Sequence, residues 1–113
     1  MSQTDLHLPI KDFQKAIKKG RGYQNRFFYL KIIANKKNKN RAGVAVSREL
    51  TKKITKKNYY KRVLRSIIKE TPLPFNQGVD LVLTLKKEAE GQEYKNLADE
   101  AQKLFSQTTY TPI

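Results

Sequence analysis

Cysteine and tryptophan are absent from these 113 residues, histidine and methionine occur once each, and acidic side chains number only 10. Without cysteine there is neither a disulfide nor a thiolate metal site, and His7 alone cannot build a zinc centre. It is read as a surface residue. No apolar run approaches the roughly 20 residues that span a bilayer, and neither end carries a lipidation signature. The opening MSQTDLHLPI has neither the basic lead nor the apolar core of a secretory signal. A cytoplasmic location with no membrane attachment is therefore expected. Also missing are a carboxylate pair, a nucleophile beside a base, and a metal-ligating cluster. Asp99 and Glu100 lie on a helix that reads as structural, and Asp80 is expected at a solvent-facing strand position. The expectation is a chain with no catalytic and no metal-binding residues of its own.

What is abundant is positive charge. Lys and Arg number 24 against those 10 acids, giving a formal charge of 24 − 10 = +14 and a pI near 10.1. Solubility does not need so much, and the self-repulsion opposes compaction unless a polyanion offsets it. Nucleic acid is the leading candidate and an anionic membrane surface the competitor. The length suits one domain over 1–113, with residues 1–9 and 107–113 expected to be flexible. No internal repeat or interior linker is visible, and no obligate protein partner is inferred.

The pattern predicts the order α-β-β-α-β-α. Over residues 11–19, KDFQKAIKK, Phe13, Ala16 and Ile17 recur at helical spacing, and Gly20 follows as a helix end prefers. FFYLKII, residues 27–33, is aromatic and β-branched and reads as a strand. AGVAVS, residues 42–47, reads as a second strand, and the two are expected to pair as an antiparallel hairpin. The basic stretch 56–70 must stop near Thr71, before Pro72 and Pro74. VDLVLTL alternates Val79, Leu81, Leu83 and Leu85 with more polar neighbours, as a strand with one buried face does. A final helix carries Tyr94, Leu97, Ala98, Ala101, Leu104 and Phe105 on one stripe.

The basic helix KKNYYKRVLRSIIKE holds six Lys or Arg among fifteen residues. At helical spacing Tyr60, Val63, Leu64, Ile67 and Ile68 fall within an arc of about 140°. Asn58, Arg62 and Lys69 lie opposite, flanked by Tyr59, Lys61 and Arg65. One stripe packs on a sheet; the other is a row of cations for successive phosphates. Glu70 is the helix's acid and stands at its end, so i, i+4 pairing does not explain the row. In the first strand Phe28, Leu30 and Ile32 form the core face, leaving Phe27, Tyr29 and Lys31 as a platform where unpaired bases can stack beside a phosphate. Gly43, Ala45 and Ser47 of the next strand are expected to share that face and leave a shallow groove.

In the order and spacing of DFQKAIKKG, NRFFYLKII, RAGVAVSRE and KNYYKRVLRSIIKE, the chain resembles the bacterial ribonuclease P protein component over nearly its whole length. That family's helix signature is Arg-Asn-Arg, one residue, Lys-Arg, two residues, Arg. Here Asn58, Lys61, Arg62 and Arg65 fit it, whereas Lys57 and Tyr59 replace the first two arginines, and the connector from Ser47 to Asn58 is one residue longer.

The resemblance implies an α+β fold like the second domain of ribosomal protein S5, with a left-handed βαβ crossover between parallel strands. It implies two partners, the catalytic RNA of ribonuclease P and precursor tRNA, whose 5′ leader is removed by magnesium-dependent hydrolysis with Mg²⁺ held mainly by RNA. It places Arg48, Lys57, Asn58, Tyr59, Lys61, Arg62, Arg65 and Lys69 against RNA. It also places Phe13, Ile17, Phe27, Tyr29, Lys31 and Ser47 at the leader cleft. At Ile17 and Lys31 the family more often has aromatics, which moves this cleft from stacking toward charge. A ribosomal protein or RNA chaperone, and a nuclease acting alone, are the rival readings. The last needs an acidic cluster for Mg²⁺ that the sequence lacks. The purified chain, freed of RNA, should therefore cut no precursor tRNA; magnesium-dependent cleavage that survives removal of RNA would restore the nuclease reading.

Overall fold

The computed structural model describes residues 4–71, 73 and 78–108. In chain order the elements are α1 (Ile10–Lys19), β1 (Arg21–Gln24), β2 (Phe28–Ala34), β3 (Arg41–Val46), α2 (Ile54–Glu70) and β4 (Val79–Leu85). A 3-10 turn at Lys87–Ala89 and α3 (Tyr94–Gln107) follow. The strands form one mixed sheet in the order β1-β2-β4-β3. Pro72, Pro74 and most of the expected loop between α2 and β4 lie outside the described residues.

Two expectations about the sheet are corrected. β2 and β3 are not a hairpin: β4 lies between them, antiparallel to β2 and parallel to β3, from which it is reached through α2. The reason is in β4 itself. Val79, Leu81, Val82, Leu83 and Leu85 are all buried, so this strand is covered on both faces and belongs in the middle of the sheet. The second correction is β1, which the pattern did not reveal because RGYQ offers Tyr23 alone as an apolar residue. Its strand form comes from pairing with β2, Gly22 opposite Lys31 and Gln24 opposite Tyr29.

On one side of the sheet Phe28, Leu30 and Ile32 meet Leu81, Leu83 and Leu85, and α2 and α3 close the layer. α2 brings Leu64, Ile67 and Ile68; α3 brings Leu97, Ala101, Leu104 and Phe105. The two helices are also tied by the Tyr94 hydroxyl, which lies 3.2 Å from the Ser66 hydroxyl and 3.0 Å from the Glu70 carboxylate. Gln107 ends α3, and the Thr108 hydroxyl donates back to the Leu104 carbonyl at 2.7 Å.

α1 lies on the other side, with Ala16 fully buried. Gly20 follows it as expected but has extended backbone, φ −72° and ψ 156°. Its lack of a side chain serves close packing: a Cβ there would run into the Ala16 carbonyl and stand 3.0 Å from that of Ile32.

The bond between α1 and the sheet is polar. Asp80, expected to face solvent, is 4% exposed. Arg41, its cross-strand neighbour on β3, donates from Nε to Asp80 Oδ1 at 2.8 Å and from Nη2 to Oδ2 at 2.7 Å. The same Nη2 reaches Asp12 Oδ2 of α1 at 3.0 Å. The bonds to Asp80 push the Arg41 pKa further up. α1 covers this end of β4, so an ordinary surface position became a buried, paired one. Upstream of α1, Asp5 forms a parallel bridge to Arg41, with Asp5 N–H donating to the Asn40 carbonyl and Ala42 N–H to that of Asp5.

Removing one partner of a buried ion pair leaves the other uncompensated, a loss of roughly 3–5 kcal/mol. Asp12 still faces Arg41, so Asp80→Ala is expected at the lower end, about 3 kcal/mol. A urea titration checks this; a midpoint equal to that of the parent would show that Asp12 alone satisfies the guanidinium.

Candidate nucleic-acid interface

Alternation along the strands sorts the side chains of the sheet face that α1 partly covers. Register places Tyr29 beside Gln24 of β1 and Thr84 of β4, and Thr84 beside Ala45 of β3. The next row holds Gly22, Lys31, Val82 and Gly43. Tyr29 and Lys31 are half-buried. The Lys31 ammonium stands 5.5 Å from the centroid of the Tyr29 ring, a cation-π distance. The ring leans toward β1, where a Cβ on Gly22 would come within 2.9 Å of its hydroxyl. A flat aromatic surface and a cation thus sit side by side, and small residues keep the floor shallow.

α1 walls this floor. A Cβ on Gly43 would be 2.8 Å from the Phe13 ring, so the bare glycine is what lets that ring lie against β3. Ile17 is 39% exposed on the same flank of the helix. Ile10, one turn before Phe13, is 77% exposed and was missed because the helix was expected to begin at residue 11. The spacing Ile10, Phe13, Ile17 was the available signal.

Phe27 does not share this surface, and its expected place there is corrected. It is 4% exposed and packs in the core with the Arg26 guanidinium 5.1 Å from its ring centroid. Strand alternation does not reach it, because β2 begins at Phe28 and Phe27 belongs to the turn before it. Asn25 Oδ1 accepts the N–H groups of Phe27 and Phe28 at 3.2 and 3.0 Å, and Asn25 Nδ2 donates to the Glu100 carbonyl at 2.8 Å. Ser47 lies just past β3: its N–H donates to the Leu85 carbonyl and its hydroxyl accepts from Glu49 N–H at 3.2 Å.

The basic helix packs below the sheet, next to β3. Leu64, Ile67 and Ile68 are buried, with Tyr60 and Val63 against the same core. Asn58, Arg62, Arg65 and Lys69 are exposed, Lys57 and Lys61 partly so, and Arg48 is exposed on the connector before the helix. Tyr59 is 56% exposed and meets Tyr60 edge-on, ring centroids 5.5 Å apart. Among the described residues no cation of α2 takes part in an ion pair. The row is thus exposed positive charge without ion-pair partners on a helix anchored in the core.

No group of three or more His, Asp and Glu side chains that could hold a metal ion exists among the described residues. Asp12 and Asp80 are the carboxylates brought together, and Arg41 occupies both. No described helix is long and apolar enough to cross a membrane.

A strongly basic α+β domain with an aromatic ring and a lysine side by side on one sheet face and a cationic helix on the other has the surface chemistry of an RNA-binding protein. Its residues 8–109 match the model of the Ribonuclease P family. Curated relatives named "Ribonuclease P protein component" include one from Clostridium botulinum, 30% identical over 77% of this chain and 78% of that protein. Another, from Streptococcus pneumoniae, is 33% identical over 77% of this chain and 70% of its own. The solved ribonuclease P protein of Thermotoga maritima superposes with a TM-score of 0.76 over 91% of this chain and 97% of its own, at 24% identity. The Staphylococcus aureus ribonuclease P protein gives a TM-score of 0.75 over 94% of both chains, at 21% identity. The chain belongs to the ribonuclease P protein family.

Arg62→Gln and Arg65→Gln, on the exposed face of α2, should leave folding intact and weaken RNA binding. Each lost phosphate contact should flatten the slope of log K against log[salt] by about one unit. Slopes unchanged in both variants would make the face merely solvated.

Proposed function

We propose that this chain, as the protein subunit of ribonuclease P, binds the catalytic RNA through the exposed row of α2 and holds the 5′ leader of precursor tRNA on the opposite sheet face. The observation that carries the reading is that Tyr29 and Lys31 stand side by side on the sheet face that α1 borders, with Phe13 against Gly43 two strands away on the same face. Stacking surfaces and a cation within one shallow groove suit a single strand, whose bases are free to stack and whose phosphates lie alongside. A ribosomal protein or general RNA chaperone would need the charge of α2 but not this groove.

The roles follow from the positions. Phe13 and Ile17 form the wall, Tyr29 the stacking floor, and Lys31 the phosphate contact beside it. Ser47 follows Gly43 and Ala45 along the chain, just past the end of β3. Arg48, Lys57, Asn58, Tyr59, Lys61, Arg62, Arg65 and Lys69 serve the catalytic RNA, with Lys57 and Tyr59 offering one point charge and one ring where relatives carry guanidinium forks. The chain supplies affinity and alignment, and hydrolysis of the phosphodiester belongs to the RNA. The donor set does not fit a resident Mg²⁺, because Arg41 neutralises the paired carboxylates. The ion required by the reaction is held mainly by RNA. The same reading places the chain in the cytoplasm, where tRNA precursors are processed.

Changing Phe13 or Tyr29 to Leu keeps most of the apolar volume and removes a stacking surface worth about 1–3 kcal/mol per base. The holoenzyme should lose affinity for precursor tRNA by that amount and hold mature tRNA as before. Measuring both ligands at one salt concentration decides it: equal losses would assign the rings to packing or to the catalytic RNA.

A further inference from the structure

On the far side of α1 from the leader groove, the helix, the end of β2 and the turn into β3 enclose an open recess of about 180 Å³. Lys15, Lys36 and Lys37 line it together with Asp12, Arg41 and Asp80. At helical spacing Asp12 and Lys15 occupy one flank of α1, and Phe13 and Ile17 the other. The helix therefore separates two different surfaces.

The charges in the recess are sorted. Four cations and two carboxylates give a formal 4 − 2 = +2. Both carboxylates are engaged by the Arg41 guanidinium, and Asp80 Oδ1 also accepts from Asn35 Nδ2 at 2.9 Å. The lysine ammonium groups have no such partners: among the described residues Lys15, Lys36 and Lys37 form no ion pair and no side-chain hydrogen bond. The negative charge is spent inside the protein, and the positive charge faces outward.

The turn that presents two of these lysines is held in shape. Lys36 has φ 57°, in the left-handed region that non-glycine residues adopt infrequently. Asn35 holds it there. Its Oδ1 accepts Lys37 N–H at 2.8 Å, its Nδ2 donates to the Lys39 carbonyl at 3.1 Å as well as to Asp80, and its own N–H donates to the Gly78 carbonyl at 3.2 Å. A left-handed residue persists where its surroundings over-determine it, and such places cluster at binding sites. One carboxylate, Asp80, thus anchors both the Arg41 bridge and the lysine turn.

We propose that this recess is a second phosphate-binding site for an RNA backbone, formed by Lys15, Lys36 and Lys37 and separate from both α2 and the leader groove. Three exposed lysines on the rim of one recess, one from a helix and two from a fixed turn, suit the oxygens of a phosphate, which lysine meets as a point charge. The proposal rests on the chain being the RNA-binding subunit described above. The phosphates belong either to the catalytic RNA or to the precursor tRNA, and the two arms of the test separate these sources.

The full-length variant Lys15→Gln/Lys36→Gln/Lys37→Gln is compared with Lys87→Gln/Lys95→Gln/Lys103→Gln, which removes the same charge near the C-terminal helix. Arg62→Gln reports on α2. Urea titration checks that the folds match, as they should with the Asp12, Arg41 and Asp80 bonds left in place. Affinity is measured against salt, first for the chain binding ribonuclease P RNA, then for the assembled holoenzyme binding precursor tRNA. The recess variant should flatten the slope of log K against log[salt] by about two to three units in at least one arm, and by more than its charge-matched control. A change confined to the first arm assigns the phosphates to the catalytic RNA; one confined to the second assigns them to the substrate. The triple Lys→Arg variant should retain the parent slope. Slopes equal to the parent in both arms, or a loss no larger than the control's, would overturn the recess while an altered Arg62→Gln slope leaves the subunit reading standing. Failure of the parent chain to bind either RNA would overturn both.

Discussion

The guanidinium of Arg41, shared between Asp80 of the central strand and Asp12 of the overlying helix, fixes where α1 lies on the sheet. A buried arginine without partners is too costly to tolerate, so the three groups must arrive together. β3 and β4 cannot slip by one residue against each other, since a single step would turn Asp80 to the opposite face. Nor can α1 slide, because Phe13, next in the chain after Asp12, rests where Gly43 offers no side chain. Both the groove on one flank of the helix and the recess on the other inherit their geometry from this polar cross-link.

The two sides of the sheet divide the work. One is dry, filled by α2 and α3, and its apolar helix stripes leave cationic and polar faces outward. The other is largely a platform, covered by one helix and otherwise lined with short or polar side chains. A molecule with formal charge +14 can keep this arrangement compact because few cations are forced against one another. They are distributed over α2, α1 and the turn between β2 and β3, with the interior pair fully compensated.

Most of the helices and strands were legible because local pattern and environment agreed. β4 was assigned at its observed residues, and the buried stripe of α2 at Leu64, Ile67 and Ile68 followed from spacing alone. Strand partnership was less legible. The apolar character of FFYLKII and AGVAVS says that both are strands but not that a third, 33 residues after Val46, comes between them. β1 escaped because its conformation is imposed by β2. In the site, Tyr29 and Lys31 followed from alternation, and Phe27 failed where alternation ended in an asparagine turn. Asp80 misled because the burial of its carboxylate depends on Arg41 and Asp12, which are 39 and 68 residues away, and no local pattern encodes that meeting.

The central strand is also the last of the described strands in chain order. β4 bonds to β2 on one edge and β3 on the other, and neither of those touches the other without it. Until residues 79–85 leave the ribosome, then, the emerging chain holds a two-stranded ribbon of β1 and β2, with β3 and α2 not yet joined to it. Ribbons of that size are barely stable alone, and long-range pairing must wait for loop closure. The four-stranded sheet and the polar cross-link therefore come into being in one late step, so a partly made chain displays its positive charge before it has the shape to use it selectively.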